Sequence, residues 1–399
     1  MSFNFVVDRI VNGRAYPTLA QHQADPYTPE WQEFVQHWPY TVPCELIEHC
    51  KSFDFPYQLY TLDQEYPEDS FYLVGIGFFD FKVDYFELMS PAVIDALMTG
   101  KLRVLFYYHE GDNPNYILGR LDRLCRWRNL PLDCYRFVSG NVSANAEHLT
   151  KFAYFPCHEL LYWRRNQATP ALEIHKSTRQ KDFTVLSRVH KWWRATAMTD
   201  LHRNGLLDNS YWSYSTAIEA EELKTANPID VYQLNIEYTM QQFLSGAPYT
   251  CDQLTPTDHN NHALLVEEHY NNSYCNIVFE TLYGDVLEDG VSGAFVTEKV
   301  FKAIKHGQPF IVVGRSGVLK LLKDLGYRTF DHVIDSTYDT IVNNTDRWRR
   351  IHHEIVKVKQ ADKQAWFEKC RADVEHNQQL FLSSKRDRLN TLFTQLNSL

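Results

Sequence analysis

Short, unbroken apolar runs alternate along this chain with segments whose apolar residues recur at helical spacing, a pattern of strand followed by helix. Residues 71–81 read as a buried strand in which Gly75 and Gly77 leave room for a close neighbour. Residues 91–99 read as a helix closed by Gly100. Strand 103–108, helix 115–128, strand 135–139 and helix 143–149 continue the alternation, and 152–155 predicts one strand more. A mostly parallel sheet follows from that order. Residues 1–70 are aromatic and dotted with proline, and predict little beyond a helix near 43–52.

A polar, basic stretch, 164–182, reads as a linker, after which the alternation resumes. Strand 183–186 leads through Ser187 to a helix over 190–203 closed by Gly205. Residues 211–215 predict a strand and 228–244 contain a helix. The β-branched and aromatic run 274–279 predicts a buried strand ending in Glu280, where a parallel sheet presents its binding edge. An acidic, glycine-punctuated loop over 284–293 follows, and a lid over a ligand is expected of it. Thr297 suits an N-cap, Glu298 starts a helix that Gly307 and Pro309 end, and 310–313 is a strand. Ser316 is expected to cap a helix over 317–325, and 329–334 predicts a strand leading to Asp335. From Tyr338 onward the chain reads as helical and highly charged.

Two helix starts carry charge of the wrong sign. Lys299 opposes the dipole of its helix by about 0.3 to 1 kcal/mol, and Arg188, Lys191 and Arg194 crowd the opening of another. Either start alone fits a solvated basic face. Together they fit a diphosphate held between adjacent strand-to-helix turns, since a helix N-terminus already favours phosphate.

Composition narrows the picture further. The 399 residues suggest two or three domains, and 44% hydrophobic with 23% charged residues is ordinary for a globular protein. A formal net charge of -10 argues against a polyanion such as nucleic acid as the main partner. The 9 Trp, 24 Tyr and 24 Phe are many, fitting either carbohydrate surfaces or simply filled cores. Eight scattered cysteines with no C-x-x-C pair argue against structural zinc or a disulfide scaffold, and reduced thiols in a cytoplasmic protein are expected. No signal peptide or membrane span is expected. Phosphate-loop, dinucleotide, nucleophile-elbow and H-E-x-x-H motifs are absent, and Asp331, His332 and Asp335 make a poor case for a metal.

The combination Phe279-Glu280, Thr297-Glu298-Lys299 and the strand from Pro309 to Gly314 resembles the C-terminal lobe of GT-B glycosyltransferases, specifically the α-1,3-fucosyltransferase and exostosin-like branches. The segment 186–208 looks like the helix and Gly-Leu-Leu-Asp close of bacterial and viral sugar transferases, and the resemblance covers about residues 183–340. Ser187 stands where those proteins usually have Asn.

The resemblance implies an α/β, GT-B-like protein with two Rossmann-like lobes of mostly parallel sheet facing across a cleft, and C-terminal helices. The implied division is an acceptor-side lobe over 1–165, a linker over 166–182, a nucleotide-sugar lobe over 183–345 and a helical extension over 346–399. It implies inverting, metal-independent sugar transfer from a GDP- or UDP-type nucleotide sugar to a glycan or other hydroxyl acceptor, with no further cofactor. Arg188, Lys191, Arg194 and Lys299 would stabilise the leaving diphosphate, with Thr297 at the same helix start. Glu298 would accept from the ribose hydroxyls, and Glu280 would hold the sugar or orient Lys299. Inversion also needs a base on the acceptor hydroxyl; Glu110 comes first, then Asp112 and His109, although such turns often carry acids merely to cap the next helix. A binding module without catalysis and an interaction scaffold are the alternatives.

Overall fold

The computed structural model describes residues 3–11, 14–16, 41–42, 45–76, 79, 81–174, 178–187, 189–216, 227–251, 266–284 and 293–399. Arg188 and most of the acidic loop, residues 285–292, lie outside the described residues. The chain forms two compact units, Met1–Arg164 with Ser384–Leu399, and Arg165–Ser383. Both are α/β, with parallel strands joined through helices.

In the first unit, strand β1 (Phe3–Val7) is followed by a small antiparallel pair, β2 (Arg9–Val11) and β3 (Arg14–Tyr16), and by β4 (Thr41–Val42). Helix α1 (Glu45–Ser52), β5 (Tyr57–Thr61), β6 (Ser70–Ile76), α2 (Pro91–Met98), β7 (Leu102–Tyr108), α3 (Pro114–Trp127), β8 (Tyr135–Ser139), β9 (Phe152–Tyr154) and α4 (Cys157–Arg165) complete the succession. The sheet runs β5-β1-β6-β7-β8-β9, parallel throughout, with β4 antiparallel against β6. Successive side chains leave opposite faces, so Tyr72, Val74, Val104 and Phe106 build one core and Leu73, Leu105, Tyr107 and Val138 another. Burial on both faces explains why these strands read as continuous apolar runs. The 143–149 segment forms no α-helix, only a 3-10 turn at Ala146–His148.

The second unit holds β10 (Lys181–Ser187), α5 (Trp192–Arg203), β11 (Tyr211–Tyr214), α6 (Val231–Leu234), α7 (Glu237–Ser245), α8 (Glu267–Asn271) and β12 (Ser273–Phe279). It continues with α9 (Glu298–Lys305), β13 (Phe310–Val313), α10 (Val318–Asp324), α11 (Asn344–Gln360) and α12 (Lys363–Ser383). Its sheet is β11-β10-β12-β13, all parallel. Residues 166–182, expected as a linker, belong to this unit. Lys305 donates to Asn166 O at 2.8 Å and Thr169 O at 2.6 Å, and buried Arg179 donates to Ser273 O at 2.9 Å.

The strand expected at 329–334 does not form. Phe330 has φ 63 and the residues around it turn, so its ring packs on Phe310 at 5.1 Å without joining a ladder. Ser316 does not cap α10 either. Gly317 is the N-cap, and the Asp339 carboxylate accepts from Leu319 N and Lys320 N, both at 2.9 Å. Helix α13 (Lys385–Ser398) lies in the first unit, where Leu389, Leu392, Phe393 and Leu396 join the core of Phe3 and Phe5. Beside it, fully buried Glu159 accepts from Lys385 at 3.0 Å and Arg388 at 3.1 Å.

Candidate functional site

Strand order places the candidate site of the second unit. The chain leaves β10 toward β11 on one side, while β12 on the other side leads away to β13, so the sheet's direction of travel reverses between β10 and β12. A crevice outside the carboxyl ends of two such strands is where open α/β sheets hold ligands. Those ends are Ser187 and Glu280.

Glu280 is fully buried, yet every part of its carboxylate has a partner. Oε1 accepts from Thr297 N at 3.1 Å, and Oε2 accepts from the Thr297 hydroxyl at 2.5 Å and Thr281 N at 3.1 Å. The carboxylate thereby clamps the end of β12 to the start of α9. Because its hydroxyl turns to Glu280, Thr297 is the N-cap of α9 without making a side-chain cap bond. First-turn N–H groups that a capping side chain would usually take stay available to an anion. At α10 the comparable groups are already taken by Asp339.

Three cations converge on this clamp. Lys191, the N-cap of α5, donates to Thr281 O at 2.8 Å. Arg194, one turn on and buried, donates to Glu280 O at 2.6 Å and Val189 O at 3.3 Å. Lys299 donates to Glu298 Oε1 at 2.7 Å, Thr281 Oγ1 at 3.1 Å and Thr297 Oγ1 at 3.2 Å, and stays partly exposed. Three basic side chains against two acidic ones, Glu280 and Glu298, leave basic groups in the majority at a helix N-terminus. A dianion such as a diphosphate suits that arrangement.

No protein-family model and no curated protein matches this chain. Among solved structures it is similar to one described as an alpha1,3-fucosyltransferase, with 9% identity, a TM-score of 0.41, and 97% of this chain and 90% of that one covered. It is also similar to one described as trehalose-6-phosphate from E. coli bound with UDP-2-fluoro glucose, at 9% identity and a TM-score of 0.44, covering 100% and 99%. A GtfA/B complex gives 11% identity and a TM-score of 0.36, covering 83% of this chain and 57% of that one.

The site's geometry divides the sequence-predicted residues into two groups. Lys191, Arg194, Glu280, Thr297, Glu298 and Lys299 gather around Thr281 in the second unit. His109, Glu110 and Asp112 lie together at the carboxyl end of β7 in the first unit, with His109 Nε2 3.4 Å from Glu110 Oε1. Asp112 accepts from the Tyr108 hydroxyl, which burial and then the Asp112 charge push well above its ordinary pKa. Asn141 donates to Gly111 O at 2.9 Å and steadies the turn.

Sequence reasoning missed Thr281, the backbone and hydroxyl on which two of the lysines converge, because nothing in a Thr-Leu-Tyr-Gly run marks it. It also missed Arg165, which lies within electrostatic reach of Glu298. Among the described residues, no group of three His, Cys, Asp or Glu side chains is gathered as a metal would need. Nor is any described helix long and apolar enough to cross a membrane.

Proposed function

We propose that this chain is an inverting, metal-independent glycosyltransferase that moves a sugar from a nucleoside-diphosphate sugar to a glycan or other hydroxyl acceptor. One observation carries the reading: two lysines and an arginine meet a carboxylate-clamped, side-chain-uncapped helix start at the binding edge of a parallel sheet. In the reaction, the acceptor oxygen attacks the anomeric carbon, the bond from that carbon to the diphosphate oxygen breaks, and the acceptor's proton goes to a base. Charge grows on the leaving diphosphate, and cations already in place stabilise it without reorganising.

Lys299 and Lys191 would meet that charge, and Arg188, outside the described residues, is assigned to it from the sequence alone. Glu298 takes the ribose hydroxyls. Glu280, Thr297 and Arg194 hold the turn in shape and orient Lys299. Glu110 is the base, with His109 and Asp112 beside it in the same turn. The finer reading, a GDP- or UDP-linked hexose or deoxyhexose donor as in fucosyltransferase-like and exostosin-like enzymes, follows from the Thr297-Glu298-Lys299 resemblance.

Isothermal calorimetry with GDP and UDP tests the donor site. Lys299→Ala and Glu298→Ala should each weaken the tighter nucleotide by about tenfold or more while the fold is kept. Unchanged affinity in both variants would sink the proposal.

A further inference from the structure

Helix α3 begins directly after the turn that carries His109, Glu110 and Asp112, and its outward face combines exposed rings with arginines. Tyr116, Arg120, Arg123 and Trp127 follow one another at i, i+4, i+7 and i+11, so they share one stripe of the helix. Tyr116 is 46% exposed and Trp127 71% exposed, so both rings reach solvent at the two ends of the stripe. Between them stand two arginines, with Arg126 on the flank. None of the three makes an ion pair or hydrogen bond with any described residue, whereas Arg128 at the end of the helix is matched by Asp84 at 2.5 Å and Glu87 at 3.0 Å. In a chain of net charge -10, three arginines left without carboxylates on one helix are not an average solvated face. Gly119 falls on the same side, and a Cβ there would meet nothing nearer than Arg123 Nη1 at 3.9 Å, so the middle of the stripe is an open notch.

We propose that this face of α3 is a docking surface for an anionic glycan, and that the acceptor is a polymer carrying carboxylate or sulfate groups. Guanidinium forks match carboxylates in a two-point geometry that a point charge does not offer. The rings at either end supply flat apolar surface for the C–H faces of sugar rings. From Tyr116 to Trp127 the stripe runs about 16 Å along the helix, enough for several sugar residues. Its Tyr116 end is the end next to Glu110, so a chain laid along it would have one terminus at the turn proposed to hold the base. Nucleic acid fits less well, since its charge density calls for a broad basic field that an acidic chain lacks. The choice of a glycan rests on the reading of the chain as a glycosyltransferase; the cationic, aromatic surface does not.

The test is fluorescence anisotropy on the full chain without nucleotide, using a labelled oligogalacturonate, a neutral cello-oligosaccharide of equal length and a single-stranded DNA. The oligogalacturonate should bind, more weakly as salt is raised, and the neutral sugar should not. Arg123→Glu, at an exposed position, and the pair Arg120→Glu with Arg123→Glu should weaken binding, the pair by about tenfold or more. Gly119→Leu, which fills the notch without touching charge, should weaken it as well. Unchanged binding in all three variants overturns the proposal, as does DNA binding as tight as the oligogalacturonate. Self-association abolished by Arg123→Glu, with no sugar bound, also overturns it and assigns the face to a second copy of the chain. Anionic-glycan binding that survives alongside absent GDP and UDP binding would defeat the donor-site reading and the acceptor role with it, and leave the docking surface standing.

Discussion

Thr297 gives both its backbone N–H and its hydroxyl to the carboxylate of Glu280, at 3.1 and 2.5 Å, although the two residues are 17 apart in sequence. That double bond of contacts fixes where α9 begins relative to β12, and so fixes Lys299, whose ammonium lies 3.2 Å from the same hydroxyl.

Replacing Glu280 therefore acts on the scaffold first. Glu280→Ala strips the acceptor from one buried N–H, one part-buried N–H and one hydroxyl, and should cost about 1 to 3 kcal/mol of stability, with loss of nucleotide binding. Chemical denaturation and calorimetry on the same variant check both. Wild-type stability in Glu280→Ala would show that the clamp is not needed.

Arg194 and Lys299 should part company. Arg194 is buried and its guanidinium bonds the Glu280 and Val189 carbonyls, so Arg194→Ala should lose about 2 kcal/mol or more in denaturant unfolding. Lys299→Ala removes a partly exposed cation and should stay within about 0.5 kcal/mol. Equal stability losses in the two would contradict this division between a residue that holds the turn and one that faces the ligand.

Acid should weaken the same helix from its other end. His306 follows α9, and burial, with Lys305 and Lys302 adding to it, lowers its pKa from 6.5 to about 3. The fold thus accepts the neutral ring. Stability from this group is fully present above about pH 6.5 and is lost as pH falls toward 3, at up to about 1.4 kcal/mol per pH unit. His306→Phe keeps a ring against Tyr270 and has no proton to take up, so its unfolding curve should be flatter between those pH values. Parallel pH profiles for variant and wild type would refute the assignment.

Local patterns carried most of the fold. The strands at 135–139 and 310–313 form over the expected residues because both faces of each are buried, which makes their apolar runs continuous. Where chemistry is non-local, sequence pattern fell short. Asp339 caps a helix some 20 residues before it, and no spacing announces that. Phe330 looks like a strand residue because a buried aromatic is needed there, but it is delivered from a turn with positive φ. In the candidate site, the anomaly of cations at helix starts pointed to two turns that meet around Thr281. It did not distinguish Arg194, spent on backbone carbonyls, from Lys299, since burial cannot be read from charge alone.

The placement of α13 has a consequence for biosynthesis. The first unit opens the chain, but the residues that cover Phe3, Phe5 and Phe55 on one side of its sheet are 389, 392, 393 and 396. As the chain emerges from the ribosome, all of Arg165–Ser383 is available before those residues exist. The usual order, in which the N-terminal domain finishes first, is therefore reversed: the second unit can complete its core while the first still exposes an aromatic face. During that interval the apolar face of Phe3, Phe5 and Phe55 lacks its cover.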